Sequence, residues 1–172
     1  MQPSLDLRLS SMIKALSQIV LPSVDTEDKA AIEQLNIVIG SLLLLKEQID
    51  YVHWFEHVET NSMLELVQSI AGHIGQEADA FMNAANTAAD IAKKPDATLS
   101  SRHDGNIRLR EVLAQLIHKS LSLEDKALAA NLRRQILKYS EAQISRERAF
   151  VARVNLDVFG DNLLPIREAL VA

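Results

Sequence analysis

Cysteine is absent from the 172 residues, which excludes disulfides, thiolate metal sites and cysteine nucleophiles. Proline is scarce: its four copies stand at positions 3, 22, 95 and 165. Between Pro22 and Pro95 only Gly40, Gly72 and Gly75 interrupt, and between Pro95 and Pro165 only Gly105 and Gly160. Proline removes a helix donor and clashes with the preceding turn, so these stretches of Ala, Leu, Glu, Gln and Lys permit long helices. Aromatic residues make up only 4%, too few for a base-stacking platform, and no basic domain is present, so no nucleic-acid partner is expected. The longest apolar block, Ile37 to Leu45, is broken by Gly40 and Ser41 and is too short to cross a bilayer, so no membrane partner is expected either. The N-terminus lacks a basic stretch followed by an apolar run, and the expected compartment is the cytoplasm.

What is present reads as an all-α protein, a single domain over residues 1–172 built as a mostly antiparallel bundle of four to six helices. Apolar residues at 48% and charged residues at 24% fit a globule with a real core. The net charge of −5 is uneven. Residues 1–86 carry twelve acids and four bases, and residues 87–172 eleven acids and fourteen bases. Halves of opposite sign attract one another in a folded chain.

The pattern predicts a first helix over Leu5 to Leu21, stopped by Pro22. A second begins at a cap on Asp25 and runs unbroken to Glu59. On it Leu35, Val38, Leu42, Leu45 and Val52 fall within about 60° of Ile49, one apolar stripe turned to the core. Thr60-Asn61-Ser62 reads as a turn, and Ser62 with Glu65 as the capping box of a third helix that ends at Pro95. The last turns of that helix bury mostly alanine, which permits close approach by a neighbour. Residues 95–106 read as a loop. A fourth helix follows over Ile107 to Leu121, then a fifth from the Ser122–Asp125 cap to Phe159, and a short tail helix over Leu163–Leu170. Glu27-Asp28-Lys29-Ala30 recurs as Glu124-Asp125-Lys126-Ala127, which raises a pseudo-twofold internal repeat.

The sharpest local pattern is His53-Trp54-Phe55-Glu56-His57. His-x-x-Glu-His on a helix sets two imidazoles one turn apart with a carboxylate beside them. Over these five residues the spacing resembles that of inverzincin metallopeptidases, which implies His53 and His57 as zinc ligands and Glu56 as base. The third ligand and strand-lined cleft of those enzymes have no counterpart in the pattern, so a catalytic role is not expected. A broader reading places His53, Glu56, His57 and, from the fifth helix, Glu147 on inward stripes as a divalent-metal or small-ligand site. Ser140 and Gln143 share the stripe of Glu147, and His73 with Glu77 could contribute. Tyr51, Trp54 and Phe55 fall on the opposite face of the second helix, as an interface would. With Ile37 and Leu44 on that side too, the helix is apolar nearly all round. The leading expectation is therefore a non-catalytic interaction protein, a homo-oligomer and most simply a dimer, with metal or ligand binding around His53 second.

Overall fold

The computed structural model describes residues 3–152 and 163–171. Every regular element among them is helical, in seven α-helices: α1 Leu5–Ala15, α2 Lys29–Gln48, α3 Val52–Ala71, α4 Ala78–Lys93, α5 Leu99–Ser120, α6 Lys126–Val151 and α7 Ile166–Ala169. No helix among the described residues is long and apolar enough to cross a membrane. The chain divides into two compact units, residues 1–51 with 147–166, and residues 52–146 with 167–172.

In the first unit α1 starts where Ser4 accepts from the Leu7 amide, passes into a wider π turn over Leu16–Val20, and ends in a 3-10 turn that contains Pro22. The cap of α2 is Asp28, whose Oδ1 accepts from the Ala31 amide at 3.0 Å, and not Asp25, whose carboxylate accepts from the Glu27 amide ahead of the helix. A Lys46–Asp6 ion pair at 3.3 Å links the end of α2 to the start of α1, so the two run antiparallel. Leu9 is the one apolar residue fully buried in this hairpin.

The expected second helix does not reach Glu59. Gln48 to Tyr51 closes a tight turn, with the Tyr51 amide 2.8 Å from the Gln48 carbonyl oxygen, and α3 starts afresh at Val52. The expected turn at Thr60-Asn61-Ser62 lies inside α3. The Thr60 hydroxyl sits 2.8 Å from the Glu56 carbonyl oxygen and 2.6 Å from Asn106 Oδ1, and Asn61 Nδ2 lies 2.9 Å from His57 Nε2. Thr60 bonds one turn back along the helix and across to Asn106, and Asn61 bonds one turn back to His57, so neither side chain diverts the backbone from the helix. The break falls at residues 72–77, where Gly75 takes φ 72°, a conformation that favours glycine.

The expected loop over 95–106 shrinks because Thr98 caps α5 through the Ser101 amide at 3.2 Å. Asp125 caps α6, its Oδ1 accepting from the amides of Ala127 and Leu128 at 2.9 and 3.0 Å. The recurrent Glu-Asp-Lys-Ala segments thus share a capping aspartate, Asp28 and Asp125, and the correspondence shown goes no further. The expected end at Phe159 and Gly160 lies outside the described residues.

The core of the second unit is formed by Met63, Val67 and Ile70 of α3, Ala85, Ala88 and Ala89 of α4, Leu109, Leu113 and Leu116 of α5, and Leu132 of α6. The alanine face of α4 does admit a close neighbour. An added Cβ at Gly105 of α5 would stand 2.9 Å from the Ala88 carbonyl oxygen and 2.9 Å from the Ala92 nitrogen. Beside this crossing Arg102 reaches back to the end of α4, donating to the Ala92 carbonyl at 2.7 Å and the Lys94 carbonyl at 3.2 Å. Helix C-termini leave such carbonyls without intrahelical donors. Arg102→Ala is expected to lower stability in urea titration by about 1.5 kcal/mol, the low end of the scale for hydrogen bonds from a charged donor, because the Lys94 bond lies at the surface.

Candidate functional site

The inward face of α3 changes character along its length. From Met63 onward it is apolar, whereas its first turns bury Glu56, Glu59 and Thr60. Opposite them α5 presents Asn106, and α6 presents Gln143 and Arg146, all three buried. These side chains form a polar layer at one end of the apolar core. Burying charge alone costs several kcal/mol, so such residues persist only with partners.

The partners are specific. Asn106 is fully buried and spends both amide hydrogens on Glu56, one on its carbonyl oxygen at 2.9 Å and one on Oε2 at 2.6 Å. Glu56 Oε1 lies 3.1 Å from Nδ1 of the more exposed His103. Glu59, 1% exposed, receives Arg110 Nε at 3.1 Å and Nη2 at 2.5 Å on Oε1, and Gln143 Nε2 at 2.9 Å on the same oxygen. Gln143 in turn accepts from Arg146 Nη2 at 2.9 Å. A chain of donors therefore runs from Arg146 through Gln143 to Glu59, with Arg110 closing it from the other side.

The residues singled out in the sequence divide sharply. Glu56 points inward as expected. His53 and His57 are exposed, because the turn at residues 49–51 resets the helical register on which they were placed. His57 pairs with Asn61 on its own helix. Glu147 is exposed, whereas Gln143, one turn before it, is buried; Ser140 bonds back to the Ile136 carbonyl at 2.9 Å. His73 is exposed, and Glu77 pairs with Lys119. Among the described residues no group of three or more His, Asp or Glu side chains is placed to hold a metal ion. Tyr51, Trp54 and Phe55 are half-buried, and each has an interaction partner.

Sequence reasoning missed Glu59, His103, Asn106, Arg110 and Arg146. Glu59 stood at an expected helix end, and His103 and Asn106 in an expected loop. The signal was available in the spacing Glu56, Glu59/Thr60, Met63, Leu66/Val67, Ile70, which continues one helix face without interruption. No family model matches the chain, and no curated protein or solved structure is similar to it.

Proposed function

We propose that the protein is a non-catalytic helical interaction protein that self-associates through α2, most simply as a dimer. One observation carries the reading. The apolar stripe of α2, which its periodicity assigns to an interior, is left open among the described residues: Val38 and Leu45 are 47% and 45% exposed, and Leu35, Leu42 and Ile49 only half-buried. No residue of this 20-residue helix is fully buried.

The spacing of the stripe indicates what covers it. Ala31, Leu35, Val38, Leu42, Leu45 and Ile49 follow one another at alternating intervals of four and three residues, the register of a coiled-coil seam. Between Glu33 and Lys46 the helix carries no charge, so nothing on it selects an unlike, oppositely charged partner. A seam of this kind is complementary to a second copy of itself, as a twofold interface requires. The surface differs from the one first expected. Tyr51, Trp54 and Phe55 are already engaged, and the aliphatic seam preceding them on the chain takes their place. The chemistry of the buried layer agrees with a non-catalytic role, since Glu56 is held by Asn106 and His103 and Glu59 by Arg110 and Gln143.

Sedimentation velocity over a concentration series tests the reading. The native chain is expected at twice its 19.1 kDa mass. The Val38→Glu/Leu45→Glu variant is expected at the single mass with unchanged helicity, its dissociation constant raised at least ~100-fold by charges placed in an apolar seam. A native chain that stays at the single mass up to high micromolar concentration overturns the proposal. So does a variant that dimerises as the native chain does.

A further inference from the structure

A groove of about 350 Å³ runs between α3 and α6 within the second unit. From this groove we infer that the protein binds a small organic oxyanion, a carboxylate or phosphate monoester with an apolar body, and that the Arg146 guanidinium is its counter-ion. The inference does not depend on self-association.

The residue that calls for a ligand is Arg146. It is only 7% exposed and lines the groove. Among the described residues it has one hydrogen bond, to Gln143, no carboxylate in ion-pair range, and a buried Nε with no acceptor. The carboxylate of Glu59 is engaged by Arg110 and that of Glu56 by Asn106 and His103, so neither stands as a contact ion-pair partner of Arg146. A buried cation without an anion is costly, and a guanidinium is shaped to take a carboxylate or phosphate through two parallel N–H bonds.

The remaining walls define the ligand. Lys138, one helical face with Arg146 on α6, adds a second cation at the exposed side. Glu65 of α3 lines the same groove and is exposed, and its negative charge works against every anion there, a polyanion such as a nucleic-acid backbone most of all. Leu66, Tyr139 and Ala142 supply apolar surface for the body of the ligand, and Ser62 adds a hydroxyl to the lining. At the far end the Ser69 hydroxyl donates to Gln135 Oε1 and ties the two helices together. The volume lies at the small end of ligand sites, which start at about 300 Å³, so a single ring or a short chain fits.

The test is a heteronuclear NMR titration of the full chain with 3-phenylpropionate, phenyl phosphate and, as a neutral control, benzyl alcohol. One or both anions are expected to bind at about 1 mM or tighter, with shift changes at Leu66 and Ala142, and benzyl alcohol at least tenfold more weakly. The stronger of the two anions identifies the head group. Arg146→Gln is expected to lower that affinity at least tenfold. Ala142→Trp, which fills the groove and leaves Arg146 in place, is expected to abolish binding, and it decides the matter should Arg146→Gln fail to fold. Arg133→Gln, an exposed cation of α6 outside the groove, is expected to bind as the native chain does. Failure of both anions to bind, equal binding of benzyl alcohol, or native affinity in Ala142→Trp overturns the inference.

Discussion

Gly105→Ala is expected to destabilise the protein by about 2 kcal/mol, the reverse of what helix propensity alone gives. A glycine inside an exposed helix weakens it by roughly 1 kcal/mol relative to alanine, so the substitution ordinarily stabilises. At Gly105 the new methyl would stand 2.9 Å from both the Ala88 carbonyl oxygen and the Ala92 nitrogen, and 3.0 Å from the Ala92 Cβ. Two of those three atoms are backbone and cannot rotate away. α5 and α4 must therefore separate, and the layer of Ala85, Ala88 and Ala89 against Leu109 and Leu113 loosens with them. Overpacking costs of about 1–3 kcal/mol exceed the propensity gain. Urea or thermal denaturation measures the difference, and a Gly105→Ala protein more stable than the parent would show that the helices do not meet at this point. Gly105→Leu should cost more, since the larger side chain has no void to enter.

The second large effect is expected at Glu59. Replacing it by alanine removes the acceptor shared by Arg110 and Gln143 and leaves space in a layer where Glu59 is 1% exposed. Truncating one member of a buried charge pair typically costs about 3–5 kcal/mol, because the remaining charge stays behind without its partner. Arg110 is 42% exposed at its side chain and can turn partly to water, which puts the expected loss near the lower end, about 3 kcal/mol. A double-mutant cycle with Arg110→Ala separates the pair from the cavity. The double variant should be less destabilised than the two single losses added together, since neither charge then remains alone. Strict additivity would show that the Glu59–Arg110 contact is not coupled.

These two positions also mark where local sequence information stops. The helical class follows from the sequence itself, because the spacing of Pro22 and Pro95 leaves long stretches in which nothing opposes the backbone ladder. Pro22 and Pro95 end helices where expected, and the alanine face of α4 admits a close neighbour. Prolines and small faces act within a turn or two of themselves, so a local reading finds them. The expected caps at Asp25, Ser62 and Ser122 instead give way to Asp28, to the interior of α3 and to Asp125.

The helix breaks and the polar layer were decided otherwise. Thr60-Asn61-Ser62 has the composition of a turn, yet it continues a helix because Thr60 meets Asn106, 46 positions along the chain. Ile49-Asp50-Tyr51 contains neither glycine nor proline and still interrupts one. Asn106, placed in a loop by its neighbours, is fully buried because both of its donors find Glu56. His53 and Glu147 share periodic stripes with buried residues but face solvent, whereas Glu59 turns inward because Arg110 and Gln143, 51 and 84 positions away, supply its hydrogen bonds. Sequence alone determined that this chain is helical and where its strongest stops and small-residue faces lie. Tertiary structure decided which polar groups are buried, because the stability of a buried charge or amide is set by donors and acceptors that only folding brings near.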